Sequence, residues 1–153
     1  MENAAVNRPE WNDYFMQIAQ VVKTRGNCLR RQVGAVAVRD RKILSTGYNG
    51  TPRGIKNCCD GGCARCASDA PSGSGLGECT CCHAEENSIV QAAYHGIQLK
   101  DATLYCTLSP CLLCAKMIIN AGILIVYYAE EYKFSKQTKA LFEEAGVKCI
   151  QMK

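Results

Sequence analysis

The stretch His83-Ala84-Glu85-Glu86-Asn87 is followed, after a gap, by Ser109-Pro110-Cys111-Leu112-Leu113-Cys114. Imidazole and thiolate groups are ligands that Zn²⁺ prefers, so His83, Cys111 and Cys114 form a candidate zinc site. Three protein ligands are one fewer than a closed tetrahedral site has. The fourth position is then open to water, which is the arrangement typical of catalytic zinc. The stretch therefore predicts a catalytic metal site.

Glu85 lies two residues beyond His83, close enough to handle protons without binding the metal. Zinc lowers the pKa of a bound water towards neutrality, and Glu85 would take the proton that this water gives up. The order H-x-E followed by P-C-x-x-C is the signature of zinc-dependent nucleobase deaminases. The simpler alternative is a closed structural site with a fourth cysteine from elsewhere, but that alternative gives no reason for Glu85.

Cys111 and Cys114 are three residues apart, so in a helix both thiolates project from one face and can reach one ion. A helix N-terminus carries a partial positive charge, which favours the ionised thiol. Ser109 fits an N-cap and Pro110 fits the first helical position. We therefore expect a helix that begins at Pro110 and carries both cysteines in its opening turn.

Outward from this stretch, helix and strand signals alternate. The hydrophobic pattern predicts four helices, at residues 9 to about 23, 83–94, 110 to about 122 and 135–145. It predicts five strands, at residues 33–38, 43–47, 102–108, 123–129 and 147–152. The helical segment between the last two strands suits a parallel crossover and is too long for a hairpin. We therefore expect one α/β domain over residues 1–153, with helices on both faces of a mixed sheet whose last two strands are parallel.

Two sets of apolar side chains are predicted to lie in the core. Cys106 and Cys149 fall on predicted strands and are expected to be buried thiols rather than ligands. The first helix carries a stripe of large apolar residues at helical spacing, which predicts core packing: Trp11, Tyr14, Phe15, Ile18, Val21 and Val22.

Composition narrows the class of protein. The chain is 48% hydrophobic and 21% charged, which is typical of a globular domain, and no stretch approaches the length needed to cross a membrane. Residues 1–7 lack the apolar run of a secretory leader, so we expect a cytosolic location. Twelve cysteines without such a leader indicate metal binding or catalysis before disulfides. The formal charge of +4 is mild and suits a phosphorylated substrate as well as a polynucleotide.

A third motif, Gly47-Tyr48-Asn49-Gly50-Thr51-Pro52-Arg53-Gly54, is preceded by Val33-Gly34-Ala35-Val36. Together with the two metal-binding motifs, it resembles the deoxycytidylate (dCMP) deaminase family within the cytidine deaminase-like superfamily. The likeness extends from the first helix to the last strand. The zinc motifs are common to the superfamily, and the glycine-rich motif is what narrows the resemblance to this family.

The resemblance implies a three-layer α/β/α sandwich, hydrolysis of dCMP to dUMP and ammonia, and commonly a homohexamer. Many members of the family are activated by dCTP and inhibited by dTTP. By position, Asn49 is expected to bind the nucleotide sugar, and Tyr132 to pack near the base and the phosphate. Lys133 is a candidate phosphate contact, Ser109 a further substrate contact, and Arg53 a contact to substrate or effector phosphate. For the two basic residues, an exposed surface position without a ligand is an equal alternative.

The long connection over residues 48–82 contains seven of the twelve cysteines, all between residues 58 and 82. A loop of this length within a compact domain needs something to order it. Phage enzymes of the resembled family carry a second, structural zinc in the matching loop, and Cys28 and Cys58 align with ligand positions there. We therefore expect a second zinc bound by Cys28, Cys58, Cys63 and Cys79, with Cys66 or Cys81 as substitutes. The alternative is a set of reduced thiols.

Four other functions remain open from the sequence. A deaminase of adenosine or cytidine in tRNA fits the parallel last strand, but the chain has no long basic stripe to follow a phosphate backbone, so no polynucleotide partner is expected. Deamination of free cytidine, or of a pyrimidine in riboflavin synthesis, fits the sequence less well than deamination of dCMP does. A zinc-stabilised interaction module is the alternative outside the enzymes. That alternative predicts that Glu85→Ala leaves function intact.

Overall fold

The computed structural model of the chain describes residues 5–153. Its strands are β1 (Gly34–Arg39), β2 (Lys42–Tyr48), β3 (Thr103–Leu108), β4 (Ile125–Glu130) and β5 (Lys148–Gln151). Its α-helices are α1 (Trp11–Lys23), α2 (Ala64–Ala67), α3 (Ala84–Tyr94), α4 (Leu112–Asn120) and α5 (Lys136–Ala145). All nine elements predicted from the sequence are present, and α2 is the one α-helix that the hydrophobic pattern missed.

The five strands form one mixed sheet in the order β2-β1-β3-β4-β5. Strand β1 runs antiparallel to both β2 and β3, whereas β3, β4 and β5 are parallel to one another. The predicted parallel pairing of the last two strands is therefore confirmed. Because β3 and β4 are parallel, their carboxyl ends meet at one edge of the sheet.

Alternating side chains of the strands pack on the two faces of the sheet. Val36, Val38 and Tyr105 pack against Phe15 and other residues of α1. The other face is covered by α3, α4 and α5 through a larger core that includes Leu104, Val126, Ala92, Ile118 and Phe142. The three-layer α/β/α sandwich is thus confirmed. The buried thiol of Cys106 and the half-buried thiol of Cys149 both belong to this larger core, as predicted.

The expected buried stripe on α1 is partly wrong. Trp11, Tyr14 and Val21 are 40%, 42% and 68% exposed, whereas Phe15 is 2% exposed. The face of α1 that lies on the sheet is made by Phe15, Met16 and Ala19. The aromatic rings of Trp11 and Tyr14 pack on Phe15 from outside, so they extend the core without being enclosed by it.

The predicted start of the third helix is also wrong. Helix α4 begins at Leu112 with Cys111 as its N-cap, so Ser109 and Pro110 lie outside the helix. The reason is that the backbone N–H of Ser109 donates to the carbonyl of Glu130 at 2.9 Å and so continues the pairing of β3 with β4. The helix can begin only after this strand pairing ends.

The connection from β2 to α3 contains short pieces of helix, at Cys58–Asp60, Ala64–Ala67 and Leu76–Glu78. None of these was predicted. Among residues 5–153, no helix is both long and apolar enough to cross a membrane. The expectation about a secretory leader involves residues 1–4, which lie outside the described part of the chain.

Candidate active site

The site lies where two helix N-termini face each other near the carboxyl end of β3. His83 is the N-cap of α3, and Cys111 is the N-cap of α4. Cys82, directly before His83, forms a two-way backbone bridge with Gly50 of the glycine-rich motif, with N–O distances of 2.7 and 3.1 Å. This bridge fixes the approach of the chain to α3.

Helix α3 also lies unusually close to strand β2. A Cβ atom built on Gly47 would come within 2.2 Å of the carbonyl oxygen of Ala84 and 2.3 Å of the backbone nitrogen of Ser88. Only glycine leaves room for this approach. Gly47 therefore sets the position of the helix turn that carries His83 and Glu85.

The three predicted zinc ligands come together. The Nδ1 atom of His83 lies 3.4 Å from the Sγ atoms of both Cys111 and Cys114, and the three ligand atoms form one compact group. Tetrahedral coordination, with Zn–N near 2.0 Å and Zn–S near 2.3 Å, requires an N–S separation of about 3.5 Å. The contacts with Cys114 and His83 lower the pKa of Cys111 to about 4, whereas the contact with Cys111, together with burial, raises the pKa of Cys114. The thiolate is the metal-binding form, so a bound cation would be needed to ionise both cysteines. The group thus fits a zinc ion.

Glu85 projects from the first turn of α3 beside this group and is 4% exposed. Burial raises the pKa of its carboxyl above the usual value, while its contact with Cys114 acts in the opposite direction. A buried carboxyl group of raised pKa is a suitable proton carrier at neutral pH. Glu85 therefore lies where its predicted role requires it.

We call His83, Cys111 and Cys114 the metal group. A cavity of about 350 Å³ opens over it. It brings together the predicted ligands His83 and Cys111 with Glu85, and it is also lined by four of the five residues predicted to bind substrate: Asn49, Ser109, Tyr132 and Lys133. A cavity of this size is within the range of small-molecule sites.

Asn49 and Ser109 are both held in place by backbone contacts. The side-chain oxygen Oδ1 of Asn49 accepts from the backbone N–H of Val33 at 2.8 Å, and the side-chain nitrogen Nδ2 donates to the backbone carbonyl of Arg31 at 2.6 Å. The Ser109 hydroxyl donates to the carbonyl of Tyr132 at 3.1 Å and accepts from the N–H of that residue at 2.9 Å. Ser109 therefore positions Tyr132, a role that the sequence motif did not indicate.

Cationic side chains gather around Tyr132 at one side of the cavity. The Arg31 guanidinium stacks over the tyrosine ring, 3.4 Å from the ring centre. Lys133 donates to the carbonyl of Ser72 at 2.8 Å, and the Ser72 hydroxyl contacts the tyrosine hydroxyl. Together, the Ser72 contact and the Arg31 charge lower the pKa of Tyr132 to about 8. Arg31 was missed in the sequence because no motif surrounds it, and only folding brings it to Tyr132.

Arg53 does not reach this cavity. Its guanidinium lies over the ring of Tyr94, 4.2 Å from the ring centre, and lines a separate cavity of about 590 Å³ formed with the glycine-rich motif. His95 and Asn87 line the same second cavity. Among the predicted substrate contacts in residues 5–153, Arg53 is thus the one that the structure separates from the metal group.

The structure divides the four cysteines expected to bind a second zinc. One compact group of sulfur atoms consists of Cys28, Cys58, Cys66 and Cys81, and another consists of Cys63, Cys66, Cys79 and Cys81. The predicted combination of Cys28, Cys58, Cys63 and Cys79 does not form one compact group, since two of its members fall in each group. The predicted substitutes, Cys66 and Cys81, belong to both groups. We call the six residues of both groups the six-cysteine cluster. Sequence spacing could not reveal this division because Cys28 comes from a distant part of the chain.

Comparison with known proteins agrees with this geometry. The family model for the cytidine and deoxycytidylate deaminase zinc-binding region matches residues 9–130. The chain is 44% identical to a deoxycytidylate deaminase of Schizosaccharomyces pombe and 42% identical to one of Saccharomyces cerevisiae, in both cases over 94% of its length. It spans 44% and 45% of the lengths of these two relatives.

A solved structure extends the comparison to three dimensions. The dCMP deaminase of the cyanophage S-TIM5, in complex with dCMP and dUMP, superposes with a TM-score of 0.77 at 34% sequence identity. The match covers 95% of this chain and 99% of that one. With its metal group, buried carboxylate and matching fold, the chain belongs to the cytidine and deoxycytidylate deaminase family.

Proposed function

We propose that this chain is a zinc-dependent deaminase that hydrolyses dCMP to dUMP and ammonia. The observation that carries the proposal is the meeting of three features in one cavity: an open metal group, the buried Glu85, and cationic side chains around Tyr132. A metal group and a buried carboxylate are what hydrolytic deamination of a base needs. Cationic side chains are what a nucleotide phosphate needs.

In this reaction a C–O bond forms at C4 of the cytosine ring, the C4–N bond breaks, and the amino group leaves as ammonia. His83, Cys111 and Cys114 would hold the zinc ion, which would lower the pKa of a bound water towards neutrality. Glu85 would accept one proton from the attacking water and deliver it to the ring nitrogen N3. It would then take the second proton, from the new hydroxyl on C4, and pass it to the amino group, so that ammonia leaves and the C4 carbonyl of dUMP forms. The raised pKa of the buried Glu85 suits a group that must both accept and release a proton.

The remaining contacts follow from the cavity walls. We assign the 5′-phosphate to Arg31 and Lys133, because both cationic groups lie beside Tyr132. We assign a sugar hydroxyl to Asn49, whose carbonyl oxygen keeps a second lone pair after accepting from Val33. Tyr132 then packs near the base and the phosphate, in the orientation that Ser109 gives it.

The proposal includes partners and a location. Because Arg53 lies outside the metal cavity, we favour an effector phosphate, from dCTP or dTTP, over the substrate phosphate for this residue. The homohexamer is proposed from the family resemblance. A structural zinc at the six-cysteine cluster is proposed from its geometry. Cytosolic location agrees with twelve cysteines of which none, within residues 5–153, is paired in a disulfide.

The test is a substrate panel with the purified, zinc-loaded chain. Turnover of dCMP, CMP, deoxycytidine, cytidine, dCTP and a tRNA is followed, each with and without dCTP and dTTP as effectors. Two charged hydrogen bonds to the phosphate, at about 1.5 kcal/mol each, predict a kcat/KM for dCMP roughly a hundredfold above that for deoxycytidine. Equal turnover of deoxycytidine, or turnover of the tRNA alone, would contradict the assignment.

A further inference from the structure

We propose that the six-cysteine cluster is a binuclear zinc site in which Cys66 and Cys81 each bridge two ions. The two compact groups of sulfur atoms have these two cysteines in common. The other four cysteines belong to one group each, and they are Cys28 and Cys58 in one and Cys63 and Cys79 in the other. The proposal extends the single structural zinc suggested above to two ions, and it is independent of the deamination chemistry.

The distances between sulfur atoms are those of metal coordination. The Sγ atoms of Cys28 and Cys66 are 3.8 Å apart, which is a spacing within the first group. In the second group Cys79 lies 3.7 Å from Cys66 and 3.8 Å from Cys63. Four sulfur atoms around one zinc at about 2.3 Å are separated by about 3.8 Å, whereas a disulfide requires about 2.05 Å. These three spacings match those of a tetrahedral zinc–thiolate site, and all ligand atoms of each group lie within 4.8 Å of one another.

One ion cannot use all six sulfur atoms. Zinc in a structural site takes four ligands, so a single ion in either group leaves two thiols of the other group without a metal. The side chains left over would include Cys58 or Cys63, and both are 0% exposed. Two ions with two shared thiolates give each ion four ligands from six cysteines. The shared pair is thus what allows every sulfur atom of the cluster to be coordinated.

The surroundings of the cluster suit its charge. Six thiolates and two Zn²⁺ ions carry a formal charge of −2, and such a charge needs nearby donors and cations. The backbone N–H of Leu29 points to the sulfur of Cys58 at 3.3 Å, and that of Thr80 points to the sulfur of Cys63 at 3.4 Å. The Arg30 guanidinium donates to the carbonyls of Cys66 at 3.0 Å and Ser68 at 2.6 Å.

The cluster also explains how a loop without a sizeable apolar core is ordered. Within residues 58–82, the buried hydrophobic cluster consists of cysteines, joined by Cys28 from the segment after α1. Metal–thiolate bonds can replace apolar packing in such a segment. The same loop carries Ser72, which contacts Tyr132 and Lys133 in the active-site cavity. The two ions therefore stabilise one wall of that cavity.

The count of metal ions per chain tests the proposal. Native mass spectrometry, with elemental analysis to identify the metal, should find three zinc ions per chain: one at the metal group and two at the six-cysteine cluster. Cys114→Ser should remove one ion and leave two. Cys59→Ser is the matched control, because Cys59 is exposed and belongs to neither group, and it should keep three. If the metal group holds its zinc ion but the six-cysteine cluster holds fewer than two, the proposal is overturned.

A second measurement reads the bridging directly and needs no variant that might fail to fold. After replacement of zinc by ¹¹³Cd, proton–cadmium correlation spectra report which metal each cysteine binds. The β-protons of Cys66 and Cys81 should each couple to two cadmium ions, and those of the other four cysteines to one. Coupling of every cysteine to a single cadmium contradicts a shared site. Both readouts are independent of turnover, so failure of the dCMP assignment leaves them unaffected.

Discussion

The guanidinium carbon of Arg31 lies over the ring of Tyr132, 3.4 Å from its centre, although the two residues are far apart in the sequence. Arg31 directly precedes the segment that leads into β1, whereas Tyr132 follows β4. The start of β1 and the end of β4 lie at the same edge of the sheet, and there the two side chains line the metal cavity. A guanidinium that contacts an aromatic ring through its face can still bind an anion through the N–H groups at its edge.

We expect Arg31→Ala to raise the KM for dCMP by about 10- to 100-fold, because a hydrogen bond to a charged group contributes about 1.5–3 kcal/mol. Turnover of deoxycytidine, which has no phosphate, should change little. The control is Arg41→Ala, since Arg41 lies at the β1–β2 turn, at the other end of the sheet, over Trp11. Steady-state kinetics with both substrates measures the effect. An equal loss for dCMP and deoxycytidine would place Arg31 outside phosphate recognition.

We expect Gly47→Ala to reduce both stability and activity. The added methyl group would meet the backbone of α3, at Ala84 and Ser88, and would force the helix away from β2. Overpacking of this kind costs about 1–3 kcal/mol. Gly77→Ala is the matched control, because a Cβ atom at that position would have no neighbour within 4 Å. Denaturant unfolding and dCMP turnover, measured on both variants, check the prediction. Equal stability of the two variants would contradict the prediction, because it would show that α3 can shift to accommodate the added methyl group.

Arg53→Ala should separate effector binding from substrate binding. Because Arg53 lines the second cavity and not the metal cavity, its removal should abolish the proposed activation by dCTP and leave the basal KM for dCMP unchanged. Arg31→Ala should give the reverse pattern. Kinetics at increasing dCTP concentration distinguishes the two. A raised basal KM in Arg53→Ala, with activation retained, would assign this residue to the substrate phosphate instead.

Local sequence patterns were sufficient for most of the fold. Hydrophobic periodicity and turn residues identified each strand and four of the five α-helices, and the metal motifs identified His83, Glu85, Cys111 and Cys114. The predicted start of the third helix near Ser109 was wrong because the N–H of Ser109 donates to the carbonyl of Glu130 on a neighbouring strand. This long-range contact has no local sequence signal. The exposed position of Trp11 has the same origin, since periodicity indicates an apolar face but not how much of it another element covers.

The site was less predictable where it depends on loops. Spacing identified the cysteines that could bind a second metal but could not show which of them meet, because Cys28 joins Cys66 only in the folded chain. Arg31 and Ser72 carry no motif, and they became candidates only through their contacts with Tyr132 and Lys133. Side chains that act through tertiary contacts are those that sequence patterns miss.

The most direct test of the account is turnover of dCMP by the Glu85→Gln variant, with zinc counted in the same sample. Glutamine keeps the size of the buried side chain but cannot carry the proton, so kcat should fall by about 10²- to 10⁴-fold while the metal at His83, Cys111 and Cys114 is retained. Turnover close to that of the unaltered chain, with zinc still bound, would contradict the assignment of Glu85 as proton carrier and with it the proposed chemistry.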